Sequence, residues 1–150
     1  MKNAILLTTL FLILCSFSSD IIVDPSYLGT WRAIDKHDGK VFEVIFMLQA
    51  NKKSNKIDIY KPVSPEGHPY ITVKMQDATH FKGTRTINIS IDEEENHSMN
   101  GYFDGSELHT FDHVELKNYT TKTIKHGEWN YVFRRWDKST QKYIDSLSHH

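Results

Sequence analysis

The chain has 150 residues, 39% hydrophobic and 25% charged, a balance that suits one globular domain and excludes a disordered chain or a multi-span membrane protein. Its formal net charge of −1, with Lys and Arg scattered among Asp and Glu, gives no basis for binding nucleic acid or an anionic membrane. Cys15 is the only cysteine, so no disulfide, cysteine nucleophile or cysteine metal site is available to a chain that begins after it.

Lys2 precedes an apolar run from Ala4 to Leu14, and the small residues Ser16, Ser18 and Ser19 follow. A basic start, a short apolar centre and small residues at the exit predict a signal peptide at 1–18, cleaved after Ser18. The run falls short of the roughly 20 apolar residues that span a bilayer. The bulky Leu14 before Cys15 speaks against lipid attachment there. Residues 19–150 are then expected as one domain, secreted or held in the secretory-pathway lumen, with no stable membrane anchor.

Pro25 disfavours helix at Asp24, and Gly29 to Ile34 reads as the first strand. His37-Asp38-Gly39-Lys40 turns into Val41–Gln49. That segment places Phe42, Val44, Phe46 and Leu48 on one face and Val41, Ile45 and Met47 on the other, as in a strand covered on both sides. Ile57 and Ile59 alternate up to Pro62, and a Pro-rich loop leads to Ile71, Val73 and Met75. His80-Phe81-Lys82 reads as a short piece ended by a turn at Gly83-Thr84. Ile87, Ile89 and Ile91 alternate strictly with polar residues and predict a half-buried strand. Asp92-Glu93-Glu94-Glu95 reads as a solvated turn, and Asp104-Gly105-Ser106 as a hairpin turn. Leu108–Leu116 and Thr121–Lys125 continue the meander. In the last strand Trp129, Tyr131, Phe133 and Arg135 share a face, and Tyr143, Ile144 and Leu147 form a stripe at helical spacing. The expected fold is all-β: a small antiparallel up-and-down barrel with a short C-terminal helix.

Asn88, Asn96 and Asn118 each begin an Asn-x-Ser/Thr acceptor, and behind a leader all three are candidate glycosylation sites. His109 and His113 lie on one strand face but about 13 Å apart at roughly 3.3 Å per residue, too far to share one ion from a straight strand. No metal site or cofactor is expected. Without a nucleophile elbow or a phosphate loop the residues assign no catalytic group, and Asp112 and Glu115 are not singled out by spacing. An enzyme would become the better reading only if several polar residues converged in one cleft.

Gly29-Thr30-Trp31 at the first strand and Arg134-Arg135 near the last resemble the lipocalins and the wider calycin group. In that family a Gly-x-Trp packs beneath an Arg from the end of the barrel. The resemblance implies that Gly29 and Trp31, with Arg134 or Arg135, close the narrow end of the barrel; strand parity favours Arg135. The family's disulfide and its middle Thr-Asp-Tyr motif are missing here, as are the helical lid and Arg-x-Tyr clamp of the related fatty-acid-binding proteins.

The function expected from this fold is non-enzymatic binding of a small hydrophobic ligand inside the barrel. Its lining would come from Phe42, Val44, Phe46 and Leu48, or the opposite Val41, Ile45 and Met47, with Ile71, Val73, Met75, Ile87 and Ile89. The alternative is a glycosylated extracellular or luminal protein-interaction module with a filled core, presenting Tyr60, Tyr70 and Tyr102 outward to a protein partner.

Overall fold

In the computed structural model the described residues are 21–37, 40–53, 55–62 and 67–136. The expected signal peptide and the expected C-terminal helix lie outside them. Eight antiparallel strands form a closed barrel: β1 (Gly29–His37), β2 (Lys40–Ala50), β3 (Lys56–Tyr60), β4 (Ile71–Met75), β5 (His80–Asn88), β6 (Glu93–Asp104), β7 (Glu107–Asn118) and β8 (Thr123–Arg135). Each strand pairs with its neighbours in sequence, and β8 returns to β1. Among the described residues no helix is long and apolar enough to cross a membrane.

Alternation decides which side chains enter the barrel. Trp31 and Ala33 of β1, Phe46 and Leu48 of β2, Ile57 and Ile59 of β3, and Ile71, Val73 and Met75 of β4 are all buried. Phe81, Met99, Phe103, Leu108 and Phe133 complete one continuous core from the longer strands. These groups fill the lower barrel, as expected for eight strands. The wall is uneven: β3 and β4 have five residues each, whereas β6 and β7 have twelve. The tall β5–β8 wall therefore overhangs a low rim.

Three expectations about local structure are corrected. His80–Lys82 does not end at Gly83; β5 runs unbroken to Asn88. Gly83 instead lets β5 lie close to β4, since a Cβ there would sit 2.5 Å from the Thr72 carbonyl oxygen. The strict isoleucine alternation is misleading, because Ile89 and Ser90 already turn, their amides bonding the Glu93 carbonyl at 2.9 and 3.2 Å. Ile89 and Ile91 are consequently exposed. Glu93 to Glu95 is not a solvated turn but the start of β6.

Gly29, Trp31 and Arg135 meet where β8 returns to β1, with Trp31 and Arg135 paired across the two strands. Trp31 is almost wholly buried, and its indole N–H donates to the Tyr27 carbonyl at 2.9 Å. Tyr27 ends a single 3-10 turn, Pro25–Tyr27, capped by the Asp24 side chain, and stacks on Phe103 with ring centroids 3.8 Å apart. The Arg135 guanidinium carbon lies 4.7 Å from the Trp31 ring centre and its Nη1 donates to the Leu28 carbonyl. Arg134 points outward to Glu107. Gly29 has φ +116°, and a Cβ on it would meet Arg135 Nη1 at 2.8 Å. Glycine at this position thus serves both the backbone turn and the seat of the guanidinium.

Candidate functional site

The apolar filling stops short of the open end. On β6 the inward positions run Phe103, Gly101, Met99, His97, Glu95; on β7 they run Leu108, Thr110, Asp112, Val114, and the register places His97 opposite Val114 and Met99 opposite Asp112. β8 sets Tyr131 beside Thr110 and Trp129 beside Asp112. The same parity that builds the core therefore carries polar groups inward at the mouth. A cavity of about 280 Å³ opens there, with Val44, Phe46, Trp129 and Tyr131 on its apolar and aromatic side. Lys61, Tyr70, Glu95, His97, Thr110 and Asp112 supply its polar side.

Lys61 continues the inward parity of Ile57 and Ile59 one step past β3. Its ammonium lies 3.5 Å from the Tyr70 ring centre, within cation–π range. Tyr70 follows Pro69 and departs from the alternation of β4, turning into the barrel rather than out of it, which corrects the outward placement expected for it. It is fixed from both sides. Arg85 of β5 reaches its backbone carbonyl, spanning the place where β4 and β5 separate after only two paired positions. The Tyr70 hydroxyl donates to Asp112 Oδ2 at 2.8 Å and lies 2.9 Å from His97 Nδ1.

The hydrogen-bond pattern in this network favours a protonated His97. A tyrosine has one hydroxyl proton, and here it goes to Asp112, so Tyr70 must accept from Nδ1–H. Nε2 faces the Glu95 carboxylate, which when ionised only accepts, so this nitrogen carries a proton as well. The ring lies between two acids, an arrangement that favours its protonated form. Burial works against that charge, but the hydrogen bonds to Asp112 and Glu95 outweigh it and raise the His97 pKa. Burial likewise lowers the pKa of Lys61, against the opposing pull of Asp112 and Glu95. The Tyr70 hydroxyl is pushed far up by burial and by Asp112, and stays protonated. Lys61 and His97 face Glu95 and Asp112 across the cavity, and the Arg85 guanidinium carbon lies 5.7 Å from the Tyr70 ring centre.

One oxygen stands outside this network and another is held in it by an ion pair alone. Thr110 is 1% exposed and Asp112 7%. Among the described residues Thr110 Oγ1 and Asp112 Oδ1 have no hydrogen-bond partner, but Asp112 Oδ1 lies 3.6 Å from His97 Nδ1 in an ion pair. Buried polar atoms of this kind are uncommon and costly.

The mouth also opens sideways. β1 and β8 pair only at Trp31–Arg135 and Arg32–Arg134, then part toward the open end. A groove of about 500 Å³ lies there between Asp35 and Phe42 on one side and Glu128 to Tyr131 on the other. It shares Trp129 and Tyr131 with the cavity.

The expected lining residues therefore separate. Val44 and Phe46 line the cavity, and Phe42 lines the side groove. Leu48, Ile71, Val73 and Met75 lie in the packed core below. Ile87 is half-buried near the rim, and Ile89 is exposed. Of the acceptor asparagines, Asn88 is exposed on the outer face of β5. Asn96 is half-buried between Thr86 and Glu94, and Asn118 between Glu93 and Thr121. His109 stacks on Tyr102 and His113 faces His126, both on the outside. Among the described residues no group of three His, Cys, Asp or Glu is placed to hold a metal. Sequence reading did not select Lys61, Glu95, His97, Thr110 or Asp112 as site residues, and it placed Tyr70 on an outer face. For all but Tyr70, strand parity counted outward from the core was the available signal.

Compared with family models, curated proteins and solved structures, the chain matches none of them.

Proposed function

We propose that this is a calycin-like binding protein of the secretory pathway that holds a small amphipathic molecule in the open end of its barrel. The observation that carries the reading is the change of lining along one interior: a packed apolar lower half, then a cavity with aromatic groups on one wall and a polar network on the other. Its volume stands at the lower edge of the roughly 300–1,000 Å³ common for ligand pockets, so the ligand is small. The filled-core alternative suits the lower half of the barrel and not the mouth. The original expectation of a purely hydrophobic ligand is narrowed, because only Val44 and Phe46 of its lining reach the cavity. The Gly29, Trp31 and Arg135 closure supports the calycin likeness. The test is a fluorescence titration of the mature protein with N-phenyl-1-naphthylamine. Saturable one-to-one binding is expected, and an absence of saturation overturns the reading.

The convergence of Lys61, Tyr70, Glu95, His97 and Asp112 in one cleft favours a second reading, in which a bound molecule exchanges a proton with this network. Incubated with the protein in heavy water, a small-molecule extract then gains deuterium at a carbon position, read as a rise in mass, and His97→Gln abolishes the gain. An unchanged profile leaves a carrier.

A further inference from the structure

We infer that the edge of β8 facing the gap to β1 docks a second copy of this chain, strand to strand, in a two-fold antiparallel pair centred on Gly127. The inference does not depend on what the cavity holds. β8 joins β1 only through Trp31–Arg135 and Arg32–Arg134, and the Trp136 amide donates to the Thr30 carbonyl at 3.2 Å. Backbone groups alternate sides along a strand, so the even-numbered residues of β8 aim their N–H and C=O groups toward β1. From Val132 back to Ile124, none of the described strands pairs with these groups. Such an edge is a template for another strand, and proteins commonly blunt it with a proline or a bulge. β8 has no proline, and its register with β7 is unbroken from Thr123 to Arg134. Ile124, Trp129 and Val132 are exposed along it.

Charge selects both the occupant and the register. Paired about Gly127, His126 meets the partner subunit's Glu128 and Glu128 meets the partner subunit's His126. Centring on Lys125, His126 or Glu128 would set each of these against its own copy, and centring on Trp129 gives no pair of opposite charge. Opposite charges across strands are favourable and like charges are not. The match continues into the neighbouring strands. Glu128 lies 3.5 Å from His113 of its own β7 with its side chain still 76% exposed, and His126 pairs in register with Glu115. One outer row of the dimer is then Glu115, His126, the partner's Glu128 and the partner's His113, with acid and base alternating. Gly127 sits on the axis at a non-hydrogen-bonded pair, where Cα atoms approach to about 4.5 Å. On the inner face the partner's Lys125 comes opposite Trp129, which borders both the cavity and the side groove. Each copy thus brings a cation to the other's mouth.

Sedimentation equilibrium of the mature protein should find it mostly dimeric at about 100 μM. Cys15, the only cysteine, lies in the expected leader, so single introduced cysteines report the register. Gly127→Cys should form a disulfide-linked dimer on mild oxidation. Lys125→Cys should not, because its two copies stand four residues apart, about 13 Å at 3.3 Å per residue, beyond the reach of a disulfide. An equal mixture of His126→Cys and Glu128→Cys proteins should cross-link as the mixed pair at least about fivefold more than as either like pair. Should Gly127→Cys not fold, this mixture decides. A protein mostly monomeric at that concentration overturns the inference and leaves the edge to an extended segment of a different protein. A dimer in which Lys125→Cys cross-links as readily as Gly127→Cys, in which like pairs match the mixed pair, or in which no β8 cysteine cross-links overturns it as well.

Discussion

Gly29→Ala should destabilise this barrel far more than a methyl group at a strand end ordinarily does. Alanine at φ +116° is strained, at a cost on the order of 1–3 kcal/mol. The new Cβ would also lie 2.8 Å from Arg135 Nη1, so the guanidinium must leave the Leu28 carbonyl or the Trp31 face. A hydrogen bond from a charged donor contributes about 1.5–3 kcal/mol. Restricting the unfolded chain returns about 0.4–1 kcal/mol. The expected net loss is roughly 2–5 kcal/mol, read from urea unfolding followed by tryptophan fluorescence. The steric part acts through Arg135, so Gly29→Ala in an Arg135→Ala background should cost only the backbone share. The double-mutant cycle then shows a coupling of about 1.5–3 kcal/mol. Additivity to within about 0.5 kcal/mol would refute the idea that glycine is there to seat the guanidinium.

Other outcomes follow from the same contacts. Trp31→Ala should cost about 3–5 kcal/mol by emptying a buried indole site, and unfolding within 1 kcal/mol of wild type, at the order expected for a surface change, would contradict its place in the closure. The raised pKa of His97 sets the sign of a pH effect. A group whose folded pKa exceeds its unfolded value, about 6.5 for histidine, gives its full stabilisation below that unfolded value and loses it as pH rises through the folded pKa. Stability should therefore fall as pH climbs above about 6.5, and His97→Gln should flatten that slope; an unchanged slope in the variant would assign the effect elsewhere. Asn118 accepts from the Thr121 amide at 2.8 Å and donates to Glu93 at 2.8 Å, so Asn118→Ala should cost roughly 1–2 kcal/mol. Asn88→Gln, on the exposed outer face, should stay within about 0.5 kcal/mol, and equal losses at the two sites would show that burial does not separate them.

The barrel was legible where hydrophobic and polar residues alternate and a true turn follows. Asp104 to Ser106 gives the β6–β7 hairpin, and Trp129, Tyr131, Phe133 and Arg135 give the inner face of β8. Alternation misled at Ile89 and Ile91, though not at Ile87, because a turn takes over after Asn88 whatever the apolar period says. The mouth was harder to read. Glu93, Glu94 and Glu95 are identical, so nothing local tells which one faces in; only counting back from Phe103 through Met99 and His97 does. Asp112 could not be told from Glu115 by spacing, yet β7 parity sends the first into the barrel and the second out. Tyr70 obeys no parity at all, since its direction depends on contacts with Asp112, His97 and Arg85 from strands distant in sequence.

Filling the mouth tests the central claim most directly. Val44 is half-buried on the cavity wall and pairs with Ala33 across β1, so Val44→Trp adds a ring into the open space without disturbing the packed end. Titrated with N-phenyl-1-naphthylamine, wild-type protein should saturate, and Val44→Trp should lose at least about tenfold in affinity while keeping its unfolding midpoint. A folded Val44→Trp protein that binds the probe as tightly as wild type would contradict ligand binding in the barrel mouth.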